Sequence, residues 1–194
     1  MILRLATAAL GLFLLAACGS TPPTQVFGLN DAAQRSETPA PGGAPLIYVD
    51  TAVIADYLDR TQMVTRKGTY RISLHEFAIW SEPLGDLITA SLVDDLAQRF
   101  GDDQVMATPI PSYQDPDWRV ELDVLRFDVD EAGDAVIDVR WTLLQGRRED
   151  LAASSREVIV TKAATPLEPA SRVDALREGL SLLSERIANR IAAG

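Results

Sequence analysis

The sequence contains very few of the residues that most often build catalytic and metal sites. Its 194 residues include one cysteine and one histidine, so an internal disulfide is excluded and a His- or Cys-rich metal site is not expected. The chain has no Gly-x-Ser-x-Gly elbow and no phosphate-binding glycine loop. We therefore expect no metal and no cofactor, and we predict that the protein is not an enzyme.

Basic residues are also scarce. The chain has 18 Lys and Arg against 28 Asp and Glu, which gives a formal net charge of -10 at pH 7. Affinity for nucleic acid comes largely from Lys and Arg on phosphates, and basic patches steer proteins to anionic headgroups. The charge therefore argues against nucleic acid and against membrane binding through a basic surface. The 47% hydrophobic and 24% charged residues are ordinary for one globular domain.

The first twenty residues have the layout of an export signal. Arg4 supplies a positive start, and Leu5–Leu15 form an apolar run that is too short to span a bilayer. The run closes with Leu15-Ala16-Ala17-Cys18, which resembles the lipobox of bacterial lipoproteins, where the cysteine takes the lipid. The alternative is an ordinary secretory signal before an unrelated cysteine. An Asp after the cysteine favours inner-membrane retention in such lipoproteins, so Gly19 predicts the outer membrane.

The chain is predicted to divide into three parts. Residues 1–17 are the signal peptide, residues 18–45 are a lipid-anchored tether rich in Pro and Gly, and residues 46–194 are the globular domain. Within the tether, Gln25–Leu29 is expected to form one short strand. A single acyl chain binds membranes only marginally, whereas two or more chains anchor stably. A matured lipoprotein cysteine carries three by analogy, so Cys18 alone is expected to hold the protein.

Hydrophobic periodicity predicts an α+β domain, with a mainly antiparallel sheet and two helices packed on it. The central helix covers about 82–100, with Ser81 as its cap and an apolar stripe at helical spacing. The C-terminal helix covers about 171–192 and begins with Ser171 and Asp174 as a capping-box-like pair. Its stripe is interpreted as docking on the sheet, and self-association is the alternative.

Three consecutive strands are predicted to form an antiparallel meander, at Trp118–Phe127, Ala135–Leu143 and Arg156–Thr161. The apolar face of the first strand changes at Leu125, which indicates a bulge. Earlier in the chain, a strand through residues 70–74 is expected to turn Tyr70, Ile72 and Leu74 inward.

Two further features are interpreted as structural. Asp128, Asp130 and Asp134 partly echo a calcium loop, but its twelfth position is Val139, where a glutamate is needed, so we predict a charged hairpin turn. His75 has no second histidine and no free cysteine to act with, so we interpret it as a surface or packing residue.

A series of short motifs gives the chain a family resemblance. After the lipobox come Tyr57-Leu58-Asp59-Arg60 and Trp80-x-Glu82-Pro83-Leu84, then a strand with Asp123 and Phe127 and a strand with Arg140-Trp141. In this order they resemble the ABC-type transport auxiliary lipoproteins, the PqiC-like or YmbA-like family.

The resemblance implies a non-catalytic outer-membrane lipoprotein that faces the periplasm of a Gram-negative bacterium. It would serve an MCE-type ABC system that moves lipids, with phospholipid as the expected cargo, and would contribute to membrane integrity. Its implied partners are an MCE-domain protein and further copies of itself. The alternative function is an envelope assembly or chaperone lipoprotein for outer-membrane proteins. A third hypothesis, an envelope hydrolase, lacks an identifiable nucleophile.

The corner formed by Trp80, Glu82, Pro83 and Leu84 has two interpretations. As structure, Trp80 fills the core and Pro83 lies in the first turn of the helix, which explains most such aromatics. As function, the same corner and the nearby strand 70–74 present one patch of a head-to-tail interface with a partner or another copy.

Overall fold

The computed structural model describes residues 22–30, 40–109 and 114–194. Cys18 and the predicted signal peptide lie outside these residues. The strands, in chain order, are β1 Gln25–Phe27, β2 Ile47–Val49, β3 Val53–Ile54, β4 Gln62–Lys67, β5 Arg71–Trp80, β6 Val105–Ala107, β7 Trp118–Asp130, β8 Asp134–Gln145 and β9 Asp150–Lys162. The helices are α1 Leu84–Phe100 and α2 Pro169–Ala193, with a short 3-10 turn at Asp102–Gln104.

One curled, mixed sheet contains all these strands, and β7 lies at its centre. One edge of β7 pairs antiparallel with β8, and β8 pairs antiparallel with β9, so the predicted meander is confirmed. The other edge of β7 is shared by three short strands in parallel orientation: β2 near Trp118, β3 in the middle and β4 near Asp130. β6 extends the sheet beyond β2, while β5 and β1 extend it beyond β4.

The bulge predicted at Leu125 is present in β7. The register with β8 shifts between Val124 and Arg126. The extra residue keeps Val124 and Phe127 on the buried side of the sheet.

The predicted α+β architecture is confirmed, with both helices on one face of the sheet. Ile88, Leu92 and Leu96 of α1 are buried in the core, as are Leu176, Leu183 and Ile187 of α2. The α2 stripe packs on α1, β8 and β9, which confirms the docking interpretation. None of the helices in the described part of the chain is both long enough and apolar enough to span a membrane.

Two expectations about helix starts are wrong. α1 begins at Leu84, with Pro83 at the N-cap and no side-chain cap, so Ser81 does not cap it. The Ser81 backbone N–H instead donates to the carbonyl of Phe27, because the chain is still paired with β1 there. α2 begins at Pro169, two residues earlier than predicted, because a proline suits the first helical turn. Ser171 therefore lies inside α2, where its hydroxyl accepts from the N–H of Thr165.

The inward face predicted for strand 70–74 is also wrong at its start. Tyr70 lies in the turn before β5 and is 96% exposed, and Leu74 is 41% exposed. The register with β4 shifts between Leu74 and Ile79, so the alternation changes face within β5, and Ala78 and Trp80 are buried further along the strand.

The segment predicted as a tether contributes to the sheet. The strand expected near Gln25–Leu29 is confirmed as β1, which pairs parallel with residues 78–80 of β5. Leu29 follows it and is buried in the core. The Ser91 hydroxyl of α1 donates to the carbonyl of Leu29, which ties this segment to the first helix.

Candidate functional site

The corner at the start of α1 combines buried and exposed residues. Trp80 is 5% exposed and packs against Phe127, with ring centroids 6.3 Å apart and planes tilted by 52°. Leu84 is also buried, whereas Glu82 and Pro83 are exposed. Of the four residues predicted to form a contact here, Glu82 and Pro83 are therefore the two that are accessible to a partner.

The sheet face opposite the helices carries a buried carboxylate. Asp128 is fully buried and accepts 2.8 Å hydrogen bonds from Nη2 of Arg66 and from Nε of Arg126. The Tyr57 hydroxyl lies 3.3 Å from Oδ2 of the same carboxylate. Burial raises the pKa of Tyr57, and the charge of Asp128 raises it further. An isolated buried carboxylate is unfavourable, so the two guanidinium groups are what make this position stable.

Further ion pairs continue along this face. Arg156 donates to both carboxylate oxygens of Asp138 at 2.9 and 2.7 Å, and these hydrogen bonds lower the pKa of Asp138. Arg140 lies 3.1 Å from the carboxylate of Asp123 on the neighbouring strand. We call these pairs and the Asp128 cluster the charged face. Its carboxylates are held by arginines, an arrangement that suits binding and rigidity better than proton transfer.

A buried arginine joins α2 to the sheet. Arg172 is 3% exposed and donates to the carbonyl of Pro166 at 2.6 Å and to the hydroxyl of Thr65 at 2.8 Å. It also donates to Nε2 of His75. These contacts are with neutral groups, and burial lowers the pKa of the guanidinium. Arg172 therefore fastens the first turn of α2 to β4 and β5 through neutral groups, although burying its charge is unfavourable.

His75 is half-buried beside this arginine, so its interpretation as a packing residue is confirmed. Burial lowers the pKa of His75, and the positive charges of Arg172 and Lys67 lower it further. Its Nε2 accepts from Arg172, so the neutral ring carries its proton on Nδ1.

Among the clefts in the described part of the chain, two border the sheet. One, of about 340 Å³, lies between β3 and the strands β7 and β8, and its lining includes Asp50, Val53, Glu121, Asp123 and Arg140. The other, of about 390 Å³, lies along β5, and its lining includes Pro22, Pro23, Leu74, His75, Phe77 and Pro169. Within residues 22–30, 40–109 and 114–194, no three His, Cys, Asp or Glu residues are placed to hold a metal ion.

Sequence reasoning missed the two buried charges. Asp128 drew attention only as a weak calcium-loop residue, and Arg172 had no local signal beyond its place in a helix. Arg66 and Thr65, their partners, lie 62 and 107 residues away in the chain.

Comparison with known protein families places most of the chain in one group. Residues 27–188 match the family described as "ABC-type transport auxiliary lipoprotein component". The matched region runs from the last residue of β1 into α2 and so includes the corner, the charged face and Arg172. No curated protein matches the sequence.

Solved structures share the fold. A crystal structure of an uncharacterised protein matches at a TM-score of 0.70 and 19% identity, covering 88% of this chain and 99% of that one. A Xanthomonas campestris protein of the DUF330 family matches at a TM-score of 0.63 and 19% identity, covering 86% of this chain and 90% of that one. At this identity the likeness concerns the fold alone.

Proposed function

Because the chain belongs to the family of ABC-type transport auxiliary lipoproteins, we propose that it is a non-catalytic subunit of an ABC system that moves phospholipid across the bacterial envelope. Its proposed direct partner is an MCE-domain protein, and its proposed contribution is to membrane integrity. The observation that carries this proposal is the family match over residues 27–188, together with the lipobox at Leu15–Cys18.

The proposed location is the outer membrane, with the domain facing the periplasm. Lipid on Cys18 would anchor the chain, since two or more acyl chains hold a protein stably in a bilayer. Gly19 supports the outer membrane rather than the inner one, because it stands where an inner-membrane lipoprotein of this type has Asp.

The chemistry of the described residues supports a role in binding. The carboxylates Asp123, Asp128 and Asp138 are paired with arginines, and Arg172 is committed to joining α2 to the sheet. The charged face would therefore present a fixed pattern of both signs to a partner rather than a reactive group.

A homo-oligomer larger than a dimer is part of the proposal. Exposed Glu82 and Pro83 at the α1 corner would form one patch of a head-to-tail interface. Repulsion between acidic copies is largely screened beyond about 8 Å at physiological salt, so the assembly should tighten as ionic strength rises. Sedimentation of the chain lacking residues 1–18 at several salt concentrations measures this, and a monomer at every salt and concentration contradicts it.

The decisive experiment is purification of the tagged full-length lipoprotein from membranes in mild detergent. We expect mass spectrometry to find an MCE-domain protein and phospholipid with it. A Cys18→Ser variant serves as the control, since it should lose acylation and outer-membrane localisation while its domain still folds. Repeated recovery of outer-membrane proteins without any transport component would support the assembly or chaperone role instead. A Cys18→Ser chain that is still processed and still in the outer membrane would refute the lipoprotein assignment.

A further inference from the structure

The beginning of the described chain lies at one end of the sheet. β1 runs parallel to β5, with Gln25 beside Ala78, so the residues before Gln25 lead back along β5 toward its first residue. Pro22 and Pro23 accordingly line the same cleft as Leu74 and Pro169.

Three connections meet at this end, beside Asp130 of β7. They are the turn 68–70 between β4 and β5, the turn 131–133 between β7 and β8, and the loop 163–168 before α2. The N–H of Ala163 donates to the carbonyl of Gly133 at 2.8 Å, and Arg172 joins Pro166 to Thr65. We call these three connections, together with the first residues of β5 up to Leu74, the hairpin end.

The distance from the proposed anchor to the hairpin end is short. Cys18 precedes Pro22 by four residues, and an extended chain spans at most about 3.6 Å per residue, or about 14 Å in all. A domain of this length has a radius of gyration of about 16 Å. Lipid on Cys18, as proposed above, would therefore keep the cleft at Pro22 next to the bilayer surface, and a distant face of the domain would not turn toward it.

The hairpin end exposes large apolar side chains. Tyr70 is 96% exposed, Leu167 is 79% exposed and Leu74 is 41% exposed. Tyrosine favours the headgroup level of a bilayer, where one end of its ring is apolar and the other wet. The charges beside Tyr70 are mixed, because Lys67 and Arg71 flank its turn and Lys67 pairs with Glu131 of the neighbouring turn. This surface fits a bilayer through its apolar side chains and does not depend on a basic patch.

We infer that the hairpin end is the surface on which the anchored domain rests against its own membrane, with Tyr70, Leu74 and Leu167 in the headgroup region. The inference rests on the proposed lipidation of Cys18. It also determines which part of the domain points away from the membrane. Arg71 and Ile79 of β5 pair with Lys67 and Gln62, which are only five residues apart on β4. The α1 corner at Trp80 therefore lies about 20 Å from the hairpin end and on the side open to the periplasm.

The test uses the acylated full-length chain in vesicles of phosphatidylethanolamine and phosphatidylglycerol. Cys18 is the only native cysteine, and acylation blocks its sulfur, so an introduced cysteine is the single site for a fluorescent label. The labelled variants are Tyr70→Cys and Leu167→Cys at the hairpin end. The matched control is Leu151→Cys, which is 68% exposed and follows the β8–β9 turn at the opposite end of the meander.

We expect brominated phospholipid to quench the labels at 70 and 167 at least about twofold more than the label at 151, because apolar surface groups enter only the outer ~5–10 Å of the bilayer. Equal quenching at all three positions overturns the inference. The inference is also overturned if the label at 70 is shielded from solvent only at high protein density and is not quenched by brominated lipid. In that case a second copy of the chain, and not the bilayer, covers this surface.

Mass measurement of the same samples separates the two proposals. If Cys18 carries no lipid, the proposed lipoprotein function and the inference fail together. If the chain is acylated and bound to the vesicles but the labels at 70 and 167 stay unquenched, only the inference fails.

Discussion

Replacing Asp128 with asparagine is the sharpest test of how the charged face is held together. The carboxylate is fully buried and accepts from Arg66 and Arg126, whose side chains are 21% and 28% exposed. Asp128→Asn keeps the size of the side chain but removes its charge. Two guanidinium groups are then left facing a neutral amide that also offers donors.

The expected loss is about 3 kcal/mol of unfolding free energy, the lower end of the 3–5 kcal/mol measured when one partner of a buried pair is removed. The lower end applies because both arginines still reach water. In a domain of this size each 1 kcal/mol lowers Tm by about 2–4 °C, so Tm should fall by about 6–12 °C.

Asp123→Asn is the matched control. Asp123 lies on the same strand and the same face, and it pairs with Arg140 at 3.1 Å, but the two side chains are 41% and 52% exposed. An exposed ion pair contributes about 0–1 kcal/mol, so Asp123→Asn should change the free energy of unfolding very little. Urea unfolding of the chain lacking residues 1–18, followed by circular dichroism, compares the two. Equal losses from both variants would refute burial as the cause.

Two further predictions concern the docking of the helices. The pKa of His75, the only histidine in the sequence, is lowered in the folded state. The unfolded chain therefore binds more protons, and the free energy of unfolding should fall as pH drops below about 6.5. The variant His75→Gln should flatten this pH dependence in urea titrations between pH 7.5 and 5.5, and an unchanged slope would show that His75 is not responsible. Gly85→Ala should destabilise α1 by about 1–3 kcal/mol through overpacking, because its Cβ would lie 2.7 Å from the backbone oxygen of Ala52. Gly179→Ala is the control and should cost less, because its equally close neighbour is the flexible end of Ile137. Thermal melts that rank the two glycine variants the other way would contradict this reasoning.

The meander shows which parts of the fold local patterns can predict. Alternation along Trp118–Phe127 and Ala135–Leu143 predicted β7 and β8, and a break in that alternation predicted the bulge at Leu125. Both signals are local, since side chains on a strand alternate between its faces. Strand ends were less accurate: β9 begins at Asp150, six residues before the predicted start. Residues 150–155 include only one large apolar side chain, Leu151, and it is exposed, so they show no apolar period.

The helix starts show where local signals compete with tertiary contacts. Ser81 is a good capping residue, but its backbone N–H pairs with Phe27 and the helix starts later. Ser171 likewise satisfies the N–H of Thr165 rather than its own helix. The capping rules describe an isolated helix, and both of these helices begin where the chain leaves the sheet.

The sequence by itself determined the α+β class, the two apolar helix stripes, the meander and the motif order that indicated the family. Each of these depends on local patterns, either a hydrophobic period along one element or a motif of a few consecutive residues. Tertiary structure alone decided that β2, β3 and β4 share one edge of β7, that Asp128 meets Arg66, and that Arg172 is buried against Thr65 and His75. Those contacts join residues 62 to 107 positions apart, and no local period specifies them. Pairing of β4 with β7 brings Arg66 to Asp128, and packing α2 on the sheet brings Arg172 to Thr65 and His75; each buried polar group then needs a partner.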